Sequence, residues 1–135
     1  QAIAAGQCGG SLTLPDGSYN GLDMNWPVGI KDFKELLKYD FNLEEYNKVP
    51  QFLYIGNQDK NNSTLSAGNR DLFTAEQEAF LNNAFGNNDP DRVKNQSAYM
   101  KNMGCNVEFK LYNTIGHDYT SEMVNDAFAF FAKYR

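Results

Sequence analysis

The sequence holds one histidine, His117, on what reads as a short loop in Leu111-Tyr112-Asn113-Thr114-Ile115-Gly116-His117-Asp118-Tyr119-Thr120-Ser121. Imidazole is the side chain whose ordinary titration lies near neutral pH. A carboxylate that accepts its Nδ1–H selects one tautomer, stabilises the imidazolium and leaves Nε2 as a general base. Asp59 is the residue placed to do this. It closes Gly56-Asn57-Gln58-Asp59, a second loop that follows an apolar run. An acid and a base so arranged complete their chemistry with a nucleophile, the third member of such a set.

Two strands must hold these loops. Val107, Phe109 and Leu111 alternate with Glu108 and Lys110, the period-2 pattern of a strand with one buried face. Gln51-Phe52-Leu53-Tyr54-Ile55 is consecutively apolar after its first residue and follows Pro50. That pattern suits a strand covered on both faces, hence parallel. The carboxyl ends of parallel strands share one edge of the sheet, where open α/β folds put their chemistry. The spacing therefore predicts an Asp59 oxygen about 2.6 to 3.2 Å from His117 Nδ1.

The flanking elements fit the same plan. Ala2-Ile3-Ala4-Ala5 reads as a short buried strand that opens into the glycine-rich stretch Gly6-Gln7-Cys8-Gly9-Gly10-Ser11. That stretch has neither P-loop nor dinucleotide-binding spacing, so its glycines imply a tight turn or a close backbone approach. Pro15-Asp16-Gly17 predicts a turn, and Tyr19 to Val28 reads as irregular, with Trp26 held out of helix by Pro27. Phe33, Leu36 and Leu37 suit one short amphipathic helix, and Leu43 and Tyr46 another. Thr74-Ala75-Glu76-Gln77 has the form of a capping box before a helix that ends at Gly86. Asp89-Pro90 starts another helix, which stops before Gly104, with Val93, Tyr99, Met100 and Met103 as core. Thr120 or Ser121 caps a last helix carrying Met123, Val124, Ala127, Phe128, Phe130 and Phe131. The order strand, helices, strand, helices, strand, helix predicts a three-layer α/β/α fold on a parallel sheet with right-handed crossovers.

Composition narrows the function. At 135 residues the chain is one domain, able to bury roughly 68% of its unfolded surface. A hydrophobic content of 41% excludes general disorder. A net charge of −5 without a Lys/Arg cluster argues against a nucleic-acid partner. No apolar run reaches the ~18 residues of a membrane span. One histidine, two unspaced cysteines and scattered carboxylates lack any zinc or calcium spacing, so neither metal nor cofactor is expected. Cys8 and Cys105 are expected as free thiols. The Asn-x-Ser/Thr triplets at Asn61, Asn62 and Asn95 are what so Asn-rich a chain produces by chance, and nothing sets a compartment. The start at Gln1 without Met or a signal-peptide pattern predicts a fragment of a longer chain.

Taken together, the three strands, the Gly56-Asn57-Gln58-Asp59 loop and Ile115-Gly116-His117-Asp118 resemble the C-terminal half of an α/β-hydrolase. The stretches Ala4-Ala5-Gly6 through Leu14-Pro15 and Trp26-Pro27-Val28-Gly29 are similar to the region after the nucleophile in polyhydroxybutyrate-depolymerase-like esterases. The resemblance spans the whole chain. It implies that the predicted strands are the last three of that fold, with Asp59 and His117 the acid and base of a Ser-Asp-His triad acting on a small-molecule ester. The family's G-x-S-x-G nucleophile elbow is not in the sequence, and Ser11, Ser63, Ser66 and Ser97 do not supply one. Within the resemblance, the nucleophile and oxyanion donors lie upstream. The Ala2–Ala5 strand would pair there with the missing N-terminal segment or, failing that, with a second copy. Some family members carry the acid after an earlier strand, but the loop after Ala5 offers only Gln7 and Cys8. Asp118 is expected to be solvated or capping. Tyr19, Trp26 and Tyr119 are packing residues or pocket walls. The competing reading is a non-catalytic, flavodoxin-like ligand-binding or interaction domain that uses the glycine-rich loop near Gln7. In it, His117 is a loop histidine and Asp59 a turn or cap residue.

Overall fold

The computed structural model describes residues 1–6, 11–61 and 72–135. Along the chain run β1 (Ile3–Gly6), β2 (Ser18–Tyr19), β3 (Leu22–Asp23), α1 (Phe33–Leu37), α2 (Leu43–Lys48), β4 (Gln51–Gly56), α3 (Ala75–Phe85), α4 (Asp89–Asn102), β5 (Val107–Tyr112) and α5 (Ser121–Ala132). A parallel sheet in the order β1-β4-β5 forms the middle layer. Ile3 stands opposite Gln51 and Gln51 opposite Val107, while Gly56 and Tyr112 end the ladder together. That register brings the loops after β4 and β5 out at one height.

The central strand is β4, and all six of its residues are buried, as its unbroken apolar run implies. Leu53, Val107 and the half-buried Ala5 and Phe109 meet α3, α4 and the segment around Leu14, Met24 and Val28 on one face. Phe52, Tyr54 and Tyr112 meet Met123 and Phe130 of α5 on the other. Glu108 and Lys110, the polar half of the β5 alternation, lie under α5 rather than in open solvent. Lys110 donates to Glu122 and Asp126 at 2.9 and 2.5 Å, and Lys133 donates to Glu108 at 2.8 Å. The mixed α/β fold, with helices on both faces of a parallel sheet, is therefore as the sequence predicts.

The helix boundaries follow their caps. Thr74 accepts from the Gln77 backbone N–H while the Gln77 side chain accepts from Thr74 N–H, which completes the capping box. Asn88 caps α4, with Pro90 in its first turn, and Thr120 caps α5. Arg92 is fully buried between α3 and α4. Its guanidinium donates to Gly86 O at 3.1 Å, Asn82 Oδ1 at 2.8 Å and Asp89 Oδ1 at 3.3 Å. Burial lowers its pKa, and the adjacent Asp89 opposes that shift.

The structure departs from expectation in three places. The first strand is Ile3–Gly6, one residue later than Ala2–Ala5, because Ile3 N–H is the first to be taken up, by Pro50 O at 2.9 Å. Tyr19 to Val28 is not wholly irregular: β2 and β3 form an antiparallel ribbon around Asn20 and Gly21, both at positive φ. Neither α1 nor α2 buries a residue. Leu36, Leu37 and Leu43 stay exposed, and Leu36 and Leu37 line an open apolar cavity of about 590 Å³ with Trp26, Phe33, Phe41 and Tyr46.

Among the described residues β1 has a strand partner on one side only. With helical spacing, Glu122 and Asp126 of α5 and Lys133 at its C-cap face β5, and Met123, Ala127 and Phe130 face the sheet. Val124, Phe128 and Phe131 are left on the opposite flank, toward the β1 edge, and all three are exposed.

Candidate functional site

Asp59 and His117 meet above the carboxyl ends of β4 and β5. Backbone pairing between the loops begins where the ladder stops: Asn57 N–H donates to Tyr112 O and Gln58 N–H to Ile115 O, both at 2.8 Å. The approach depends on Gly56. A Cβ there would come within 2.5 Å of Gly116 O, and closer still to Ile115 O. Beyond the glycine the chain turns back, with Asp59 N–H donating to Gly56 O at 3.2 Å, and directs the aspartate inward.

The Asp59 carboxylate and the His117 ring differ in exposure. The Asp59 side chain is 1% exposed, whereas that of His117 is 55% exposed. A buried carboxylate needs partners for both oxygens. Oδ1 accepts from Asn61 N–H at 2.9 Å, and Oδ2 lies 2.8 Å from His117 Nδ1. The carboxylate cannot donate, so Nδ1 carries the proton and the contact is a charge-assisted hydrogen bond. Nε2 then presents its lone pair, with no partner among the described residues. The ring is thus held on its Nδ1 side and open on its Nε2 side, an arrangement that can take a proton from a bound hydroxyl or water.

The other residues singled out in the sequence play other parts. Asp118 is exposed, and its Oδ1 accepts from Tyr119 N–H at 2.7 Å, a local turn contact. Tyr19 packs against Phe80, Phe85 and Tyr99 in the core. Trp26 forms part of the apolar cavity wall. Tyr119 is 61% exposed, and its hydroxyl donates to Gly6 O at 3.3 Å, which ties the histidine loop to the end of β1. Ser97 donates to Val93 O within α4, and Ser11 accepts from Gln96 Nε2, so both are engaged away from the ring. Cys105 is a buried free thiol, with burial raising its pKa. Cys8 and the glycine-rich loop at Gln7 to Gly10 lie outside the described residues, as do Asn62, Ser63 and Ser66. Among the described residues no group of three or more His, Cys, Asp or Glu side chains is gathered to hold a metal, and no helix is long and apolar enough to cross a membrane.

Sequence reasoning missed Asn57. Its side chain bridges to the opposite loop: Oδ1 accepts from Thr114 N–H at 2.8 Å, and Nδ2 donates to Asn113 Oδ1 at 3.2 Å. No local pattern marks an asparagine as the partner of an amide that lies beyond the next strand.

No family model, curated protein or solved structure matches this chain.

Proposed function

We propose that this chain is the C-terminal portion of a serine hydrolase acting on carboxylic esters, with Asp59 and His117 as the acid and base of its triad. The observation that carries the reading is the 2.8 Å contact between a buried Asp59 carboxylate and the Nδ1 of an exposed imidazole whose Nε2 has no partner among the described residues. In the proposed reaction, His117 Nε2 takes the proton of a serine hydroxyl as its oxygen attacks the ester carbonyl. It then returns that proton to the leaving alkoxide, so that the alcohol departs and an acyl-enzyme remains. Water, deprotonated by the same nitrogen, then attacks the acyl carbonyl, and the imidazolium returns that proton to the serine oxygen as the acid leaves. Asp59 keeps the imidazole in the productive tautomer and stabilises the imidazolium in each half. The serine and oxyanion donors belong, on this reading, to sequence upstream of Gln1.

The parallel sheet supports the reading because it sets the two loops side by side at its carboxyl edge. The β1 edge supports it as well. Ile3-Ala4-Ala5-Gly6 carries no charge or proline to discourage pairing, and the apolar flank of α5 lies toward the same side. The proposed partner at that edge is the upstream segment, or a second copy where the segment is missing.

The test is ester hydrolysis by three proteins. The 135-residue chain alone should show no measurable turnover of a short activated ester. The longer polypeptide should hydrolyse it, and His117→Ala in that polypeptide should cost on the order of 10⁶ in kcat. Asp59→Asn should cost about 10⁴ through the wrong tautomer. A longer polypeptide whose hydrolysis survives His117→Ala would leave the assignment without its base.

A further inference from the structure

Thr114 has φ 61, left-handed backbone that a β-branched residue rarely adopts. Such a conformation persists only where its surroundings hold it. Here the holding group comes from the other loop. Thr114 N–H points at the Asn57 side chain, and the bond to Oδ1 is 2.8 Å. The amide orientation is settled by chemistry: Thr114 N–H needs an acceptor and Asn113 Oδ1 a donor, and only one placement of Oδ1 and Nδ2 serves both. The reversal at Thr114 brings Ile115 and Gly116 back over Gly56, and the next residue is His117. Asp59 is fixed independently by burial and by Asn61 N–H. The position of the imidazole relative to the carboxylate therefore depends on the Thr114 turn together with the close approach at Gly56 and the Gln58 N–H bond to Ile115 O.

We propose that Asn57 is a positioning residue, which holds Thr114 in its left-handed turn and thereby keeps His117 against Asp59. The proposal deepens the reading of His117 as the base and takes its importance from that reading. Its test reads the ring of the isolated chain, so a failed clamp and a failed esterase assignment are told apart.

The chain has one histidine, so a ¹⁵N imidazole spectrum has a single source. With the ring neutral, the unaltered chain should show the Nδ1–H tautomer as the main form. In Asn57→Ala the ratio of Nδ1–H to Nε2–H should fall about tenfold, as expected when a hydrogen bond to a charged acceptor is lost. Asn57→Asp keeps an acceptor for Thr114 N–H and should retain the Nδ1–H form. Thr114→Gly alone should change nothing, because glycine takes positive φ freely, and combined with Asn57→Ala it should restore most of the ratio. In the unaltered chain, Thr114 N–H should also exchange slowly although its residue is exposed, a measurement that needs no variant to fold. An unchanged tautomer ratio in Asn57→Ala, a double variant no better than the single, or Thr114 exchange at the rate of a free peptide would each overturn the proposal.

Discussion

Replacing Gly56 with alanine should damage the site without touching the Asp59 or His117 side chain. The new methyl would sit 2.5 Å from Gly116 O and 2.7 Å from the Ile115 carbonyl carbon, and both obstacles are backbone. A tolerable C···O contact is about 3.3 Å, so the histidine loop must retreat by at least about 0.8 Å to clear Gly116 O and further to clear the nearer Ile115 O. Added to the 2.8 Å between Asp59 and His117, that retreat gives a separation beyond the ~3.2 Å at which such a bond is sound. Overpacking of this kind costs about 1 to 3 kcal/mol, partly offset by about 0.4 to 1 kcal/mol from the stiffer unfolded chain. The net loss of about 1 to 2 kcal/mol should lower Tm by about 3 to 8 °C. If the chain works as proposed, in a polypeptide that also carries the proposed serine, a displacement near 1 Å should reduce kcat/KM for an activated ester about 100-fold, well beyond what the stability loss explains. The assay pairs thermal melts with ester kinetics at a temperature where both proteins are folded. A Gly56→Ala protein with the parent's kcat/KM and Tm would refute the claim that the close loop approach sets the pair.

Other perturbations test other parts of the account. Arg92→Ala removes the guanidinium beside the buried Asp89 carboxylate and should cost about 3 to 5 kcal/mol in urea unfolding, whereas Arg92→Met, which refills the volume, should cost no more. Tyr99, whose hydroxyl donates to Asp16 Oδ2 at 2.6 Å, has its pKa pushed up to about 12 by burial first and by Asp16 second. The neutral phenol is favoured in the folded state, so its contribution is complete below the unfolded value near 10 and is lost as pH rises from about 10 to 12. Stability curves of the parent and Tyr99→Phe should therefore converge over that window, and curves that stay parallel would contradict the burial argument. The isolated chain should self-associate through the β1 edge and the α5 flank in light scattering, and Phe128→Lys should weaken that association with little change in Tm. A monomer at high concentration that binds no hydrophobic dye would count against the edge as an interface.

The parts of the fold that were legible share a cause: their signals are local and strong. The unbroken run in β4, the alternation in β5, the Thr74 capping box and Pro90 in the first turn of α4 each state their own structure. The Asp59–His117 pairing was legible because parallel strands bring both carboxyl ends to one edge. Asn20-Gly21 carried a turn signal too, but strands of two residues show no alternation to confirm it. Leu36 and Leu37 have helical spacing, and spacing does not say what covers an apolar face. Likewise Glu108 and Lys110 announced a polar face, but only the tertiary structure puts α5 and its matching charges over it. Thr114 is the opposite case. Its residue type argues against a left-handed turn, and the hydrogen bond that holds it comes from Asn57, across a helix pair and a strand.

A fluorophosphonate probe tests the central claim directly, because it forms a covalent adduct with a serine that an adjacent base has activated. On the proposed function, with a polypeptide extended upstream of Gln1, mass spectrometry should place the adduct on a serine of that extension, and His117→Ala should abolish the labelling. Labelling that persists at the parent's rate in His117→Ala, or ester hydrolysis with no labelled serine, would contradict the assignment of His117 as the general base of a serine hydrolase.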